Sequence, residues 1–338
     1  MSRLAISGAL LSLLLSAPAA ADLNVYVLNK GSGSVSIIDA RTEAVISTIQ
    51  VGERPRGLAV TRSGERLYVS REDGTLIERD MYFKAESGQA RLGGVPSSID
   101  LSPDSKVLAA AVRGNTNGNL GIVLLDLATM RVLRTIEVHG APSVMHAVFS
   151  PDGRWIYAST EESPDVAVID VKQGAVTSSI RVGPRLRDIA FLPGGSRAYV
   201  AAEQDSEVVV IDVARQAVVD RVKTASAPLG VTPHPDGKRV FVSASGAGKV
   251  QVLDTSSNKI VAEIEVGNGP SSMALTPDGK KLYVVCGPAN HVSAIDTSTY
   301  KRLAQVSVGV APASVVISEP PPPPEEFERS VRGGRKAP

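Results

Sequence analysis

Cysteine is all but missing from this chain: Cys286 stands alone in 338 residues. A single cysteine excludes an internal disulfide and any Cys-x-x-Cys-His haem attachment, and it suits a fold that must survive an oxidising compartment without a covalent staple. Histidine is nearly as scarce. The four are His139, His146, His234 and His291, with no HxH or HExxH spacing, so the sequence offers no preformed zinc site. Aromatic residues make up 4% of the chain, which leaves little for stacking on single-stranded nucleic acid. Basic and acidic residues number 36 and 35, so composition gives no reason to expect the clustered basic surface that phosphate backbones require. A GxSxG elbow is lacking. The Gly-rich stretches Gly31–Ser34 and Gly246–Gly248 precede strand-like runs, not helices, and so lack the helix N-terminus of a phosphate loop. No segment approaches the roughly 18 consecutive apolar residues of a membrane-spanning helix.

What the chain has in abundance is one pattern, clearest at Ser271–Lys280 (SSMALTPDGK) with the runs LYVV at Leu282–Val285 and VSAIDT at Val292–Thr297. An apolar run, a Pro-Asp-Gly turn, a β-branched and aromatic run, a polar loop and a third run ending in Ile-Asp read as consecutive antiparallel strands. Pro-Asp recurs at Pro103, Pro151, Pro235 and Pro277, with degenerate turns at Thr61–Gly64 and Leu192–Gly195. The Asp closing the third run falls at Asp39, Asp80, Asp126, Asp170, Asp212, Asp254 and Asp296, at intervals of 41, 46, 44, 42, 42 and 42 residues. A period of about 40–45 with four short strands per unit predicts an all-β propeller of four-stranded antiparallel blades. With the strands of a blade named a to d, and a taken as the run before the Pro-Asp-Gly turn, seven a strands are expected to begin near Gly57, Ser98, His146, Asp188, Gly230, Ser272 and Ser314.

Seven blades follow, and the ends of the repeat complete one of them. The first run, NVYVLN, is a b strand without a preceding a, followed by c at Val35–Asp39 and d at Val45–Val51; the last, Ala313–Ile317, is an a strand with nothing after it. Their pairing would close the ring and remove an exposed strand edge. Three regions are therefore expected: a signal peptide at 1–21, a single propeller at 22–318 and a Pro-rich disordered tail at 319–338. The leader combines Arg3, an apolar core from Leu4 to Leu15 and small residues before Asp22, which points to a periplasmic or secreted protein.

The runs LYVS, LYVV and VYVL, together with VSIIDART, VSAIDTST and VGERPRGLAV, resemble the YVTN-type seven-bladed propellers. Within them, Cys286–Gly309 (CGPANHVSAIDTSTYKRLAQVSVG) is similar to the periplasmic propellers associated with pyrroloquinoline-quinone-dependent catabolism. Ser70–Tyr82 (SREDGTLIERDMY) is a little like the haem-binding propeller of dissimilatory nitrite reductase. The resemblance implies an accessory protein near quinoprotein oxidation, with pyrroloquinoline quinone or haem as the cofactors to consider.

In a repeat protein, a residue that every blade carries serves the blade, and one that breaks the repeat is free to serve something else. The seven strand-ending aspartates belong to the first kind. The residues entering the innermost strands are mostly small or bland, at Ser97-Ser98, Leu229-Gly230, Ser271-Ser272 and Ala313-Ser314; Arg56, Met145, His146, Arg187 and Asp188 break the rule. Arg54 and Arg185 stand two residues before Arg56 and Arg187, three blades apart. These seven residues are the candidate ligand-binding set at the channel mouth, with no catalytic or metal residue assigned. Asp188 and Glu53 are the carboxylates that could neutralise the arginines locally. The leading expectation is a non-catalytic propeller that binds a small anionic ligand or a periplasmic partner protein on this face. Nucleic acid and a membrane span are not expected. The alternative is an enzymatic propeller, d-type-haem-binding or lactonase-type. Cleavage after Ala21 predicts a mature N-terminus at Asp22, because Ala19 and Ala21 supply the small residues of the site. Intact mass of protein from the periplasmic fraction checks it, and material retaining residues 1–21 in the membrane fraction would refute it.

Overall fold

The computed structural model describes residues 22–114, 121–138, 143–160 and 162–321. The expected signal peptide, His139 and all of the tail beyond Pro321 lie outside the described residues. Among the described residues, twenty-eight strands form seven four-stranded antiparallel sheets. Blade 1 spans Pro55–Arg91, blade 2 Val95–Ile136, blade 3 Val144–Arg181, blade 4 Leu186–Lys223, blade 5 Pro228–Glu265 and blade 6 Pro270–Ser307. Blade 7 joins Pro312–Ser318 to Asn24–Asn29, Ser34–Asp39 and Ala44–Gln50. Each innermost strand touches the innermost strand on either side, and the seventh touches the first, so the ring is closed.

The blade pattern follows from the sequence pattern. The b and c strands are buried along almost their whole length, whereas the outer d strands expose most of theirs. Tyr26, Tyr68, Tyr157, Tyr199, Phe241 and Tyr283 occupy equivalent b-strand positions and wedge between neighbouring blades, fully or almost fully buried; blade 2 has Ala109 there. The strand-ending aspartates cap the c–d turns. Asp39 Oδ1 accepts hydrogen bonds from the backbone N–H groups of Arg41 (2.7 Å) and Thr42 (3.0 Å), and Asp254 and Asp296 do the same in their blades.

The innermost strands begin two or three residues earlier than the turn spacing suggests, for a physical reason: each is bulged near its start. Pro55 pairs with Arg71 and Gly57 with Ser70, leaving Arg56 as an extra residue. Ser97, Met145, Leu229 and Ala313 are the extra residues of blades 2, 3, 5 and 7, and the bulges of blades 4 and 6 include Arg187-Asp188 and Ser271-Ser272. His146 is therefore part of the inner strand and not of the loop before it. A bulge turns its strand and re-aims the side chain it adds.

The channel-facing edge of each inner strand has no strand to pair with. Side chains from the preceding blade cover part of it. Ser98 Oγ and Asp100 Oδ2 accept from Ala147 and Phe149 N–H (3.3 and 2.8 Å), Asp188 Oδ2 accepts from Val231 N–H (3.0 Å), and Ser272 Oγ from Val315 N–H (3.2 Å). Burial pushes the Asp100 carboxyl up to about 6; the charge of Asp188 adds to this, and hydrogen bonds from Phe149 and Leu101 oppose it.

Two outcomes are expected. Removing residues 312–338 strips the inner strand from blade 7 and should lower Tm by more than about 10 °C or abolish cooperative unfolding, while a chain ending at Pro321 should melt within about 4 °C of the full one. Equal melting of both truncations would refute the closure. The second concerns pH. Since the native Asp100 holds its proton to about pH 6 while its ordinary value is 3.8, its contribution to stability is complete below about pH 4 and is lost as the pH rises through 6. Asp100→Asn should therefore raise Tm at pH 7, by the equivalent of at most about 3 kcal/mol, and give no gain at pH 4. Thermal melts of both proteins at the two pH values check the sign.

Candidate functional site

The d–a and b–c connections lie on one face of the ring, the top. There the structure pairs each arginine couple with a carboxylate from the adjoining b–c loop. In blade 1, Arg54 Nη1 and Arg56 Nη2 reach the two oxygens of Glu72 at 3.3 and 3.0 Å. In blade 4, Arg185 Nε and Arg187 Nε both reach Glu203 Oε2, at 3.7 and 2.6 Å. Among the described residues, the carboxylates that pair with these arginines are Glu72 and Glu203, in place of the expected Glu53 and Asp188. The inner arginine of each couple is mostly covered and the outer one is open, with Arg54 74% and Arg185 49% exposed. Arg54 and Arg185 also share a left-handed backbone, φ 48° and 49°, where Ala227, Gly269 and Ala311 stand in other blades. In those three blades small residues make the same turn, so the arginines are not there for the turn.

Both groups are held from beneath. The Glu72 N–H bonds to the Arg54 carbonyl (3.0 Å) and the Glu203 N–H to the Arg185 carbonyl (3.1 Å), tying each b–c loop to its d–a loop. Ser159 Oγ donates to the Arg187 carbonyl at 2.6 Å, and Ser243 Oγ does the same to Ser271, so a b-strand serine of the preceding blade anchors the bulge. Lys30 occupies in blade 7 the position that Glu72 has in blade 1, and its N–H likewise bonds to the Ala311 carbonyl. Burial lowers the pKa of the Lys30 ammonium, the nearby Arg56 guanidinium lowers it further, and Glu72 opposes both. Lys30, Arg54 and Arg56 therefore form a crowded cationic corner around one carboxylate.

The remaining candidates form a second group further round the ring. His146 Nδ1 lies 3.5 Å from Asp188 Oδ1, bringing blades 3 and 4 together. Burial raises the Asp188 pKa, while His146 and the hydrogen bonds from Val231 and Ile189 oppose that shift. Met145 is the bulge residue beside His146 and is partly exposed. The other described histidines lie elsewhere: His234 is buried at a bottom turn against the Gly279 carbonyl, and His291 is buried near the Val266 carbonyl. Among the described residues, no three His, Cys, Asp or Glu side chains are arranged to hold a metal ion. A cleft on the outer side of blade 3, lined by Thr160, Ser163, Asp165 and Thr177, includes none of the mouth's arginines.

Sequence reasoning found the arginines as departures from the repeat but missed Glu72, Glu203, Lys30 and Asp100. A signal for the glutamates was present. Arg54, Arg56 and Glu72 recur 131 residues later as Arg185, Arg187 and Glu203, three blades on.

Comparisons with known proteins agree with the fold. Residues 73–263 match the model of the family described as YNCE-like beta-propeller. The uncharacterized protein YwhL of Bacillus subtilis is 26% identical over 157 residues, 46% of this chain and 32% of that one. The chain thus spans about a third of that relative's length. Among solved structures, a chain of hydrazine synthase from Kuenenia stuttgartiensis is 26% identical with a TM-score of 0.73, covering 81% of this chain and 92% of that one. Dihydro-heme d1 dehydrogenase NirN, in complex with DHE, gives a TM-score of 0.65 at 15% identity over 87% of this chain and 74% of that one, a likeness of fold alone. With the match covering more than half of the sequence and seven closed blades beneath it, this chain belongs to the YNCE-like β-propeller family.

Proposed function

We propose that this chain is an exported, non-catalytic binding propeller whose top face takes a small polycarboxylate at the channel mouth. The observation that carries the reading is the cationic corner of Lys30, Arg54 and Arg56 around the single carboxylate of Glu72, with a second Arg-x-Arg couple three blades away. A cation crowded by other cations favours an incoming anion, because each new charge-assisted bond also relieves repulsion among the hosts. Glu72 and Glu203 hold both arginines of each couple in place, each outer one through a single nitrogen, and the remaining N–H groups of the exposed Arg54 and Arg185 are left to meet a carboxylate. Resemblance to the propellers of quinone-dependent catabolism makes pyrroloquinoline quinone the first ligand to try. Its carboxylates fit the guanidinium donors present, and the protein's part is to bind and orient it.

A haem reading has one observation in its favour: His146 turns Nδ1 toward Asp188, an arrangement that orients a ligating imidazole. A Soret band in protein purified from its native compartment would select it.

For the anion reading, calorimetric titration with pyrroloquinoline quinone and simpler polycarboxylates is the test. Arg54→Ala and Arg185→Ala should each cost about 1–2 kcal/mol, roughly 5- to 30-fold in Kd, and the loss should shrink with added salt. If no polycarboxylate binds, or if both variants bind as the wild type does, the mouth is not an anion site.

A further inference from the structure

The bottom face carries a repeat-breaking feature of a different chemistry. At the c–d turns, the two residues whose N–H groups face the capping aspartate are Arg41-Thr42, Ala128-Thr129, Lys172-Gln173, Ala214-Arg215, Ser256-Ser257 and Ser298-Thr299 in six blades. In blade 1 they are Tyr82-Phe83. Both N–H groups bond to Asp80 Oδ1, at 2.9 and 3.0 Å, so the turn itself is the ordinary one. The side chains are 45% and 71% exposed and meet edge to face, with ring centroids 4.9 Å apart. In a chain with 4% aromatics, most of whose tyrosines are wedged between blades, an open aromatic pair on a rigid turn is an unpartnered surface.

The end of the ring leads to it. The last inner strand, Pro312–Ser318, runs to the bottom face, and the Glu319 carbonyl then packs against Gly64 in the a–b turn of blade 1. A Cβ at Gly64, whose φ is 71°, would collide with that carbonyl. From there the path to the aromatic pair is short: the Met81 N–H bonds to the Glu65 carbonyl at 2.9 Å, and Tyr82 follows. The backbone steps from Glu319 to Tyr82 add up to at most about 20 Å. The five prolines Pro320–Pro324 begin at that point and are followed by Glu325, Glu326 and Phe327. Polyproline advances about 3.1 Å per residue, so the five span about 15 Å and the stretch to Phe327 about 25 Å.

We infer that the chain's own Pro320–Phe327 segment docks on Tyr82 and Phe83, running from the channel's lower rim to the outer edge of blade 1. Proline runs are recognised by aromatic side chains because the extended helix loses little entropy on binding, and its free carbonyls accept hydrogen bonds that a Tyr hydroxyl can donate. Charge does not decide the matter: Arg62 and Glu65 in the adjoining turn are both exposed and of opposite sign. The aromatic pair and the exit point carry the assignment.

Proteolysis of the full mature chain tests it. A Glu-specific endoprotease cuts after Glu325 and Glu326, and a synthetic peptide of residues 319–338 sets the unprotected rate. The wild type should be cut roughly tenfold more slowly than the peptide, since cleavage tracks the undocked population. Tyr82→Ser with Phe83→Thr, which installs the Ser-Thr pair of blade 6 and so keeps the turn, should be cut at the peptide's rate. Wild-type protein cut as fast as the peptide overturns docking, and equal protection of the variant overturns the aromatic pair as its seat. Protection that rises with protein concentration, with a dimeric mass by light scattering, replaces the chain's own tail with that of a second copy. None of these outcomes depends on the channel mouth.

Discussion

A closed ring of blades leaves every innermost strand with one edge that no other strand can pair, and the rest of the molecule is arranged around that constraint. Buried N–H groups need acceptors. Here they come from the preceding blade: Ser98, Asp100, Asp188 and Ser272 each take a backbone N–H of the next inner strand, while Thr232 Oγ1 donates to the Met273 carbonyl at 3.3 Å. Blades are thereby joined at the channel by polar bridges and further out by the tyrosine wedges. Closing the ring with Asn24–Asn29 against Pro312–Ser318 matters for the same reason, because an open seventh blade would present both a bare edge and an unmatched set of bridges.

The bulges connect this constraint to the mouth. An extra residue near the start of each inner strand takes the top turn of the chain out of register, and that residue is the one each blade can vary without disturbing its pairing. Five of the bulges hold residues such as Ser97, Met145, Leu229 and Ala313. In blades 1 and 4 the position holds Arg56 and Arg187, each meeting a glutamate from the b–c loop of its own blade. The outer arginines, held in left-handed turns, add charge where the backbone gains nothing from it.

The architecture was legible because it is periodic: one aspartate per blade, one turn per hairpin and two incomplete blades at the ends, of three strands and one, suffice to count seven. The charged mouth was half legible. Arg56, Met145, His146, Arg187 and Asp188 stood out against small residues at the same repeat position, but their partners depend on which loops meet in space. Glu72 and Glu203 come after the next strand and look like ordinary loop residues until Arg54 and Arg185 are seen across from them. Asp100 was hidden for a different reason. It lies within an inner strand, in a stretch whose alternation reads as plain β, and only the unpaired edge of blade 3 explains it.

Asp188 shows how seam and site share one position. The same seam bond is made by the hydroxyls of Ser98 and Ser272, which carry no charge to bury. A carboxylate there costs more, and burial accordingly raises its pKa. Two things offset the cost within the ring: its Oδ2 takes the Val231 N–H that a serine would have taken, and its Oδ1 faces His146. Blade 3, in turn, is the one blade with a histidine at the position where the others have Ser, Asp or Gly. The two departures are adjacent and complementary, so each is explained by the other, and the seam alone accounts for neither.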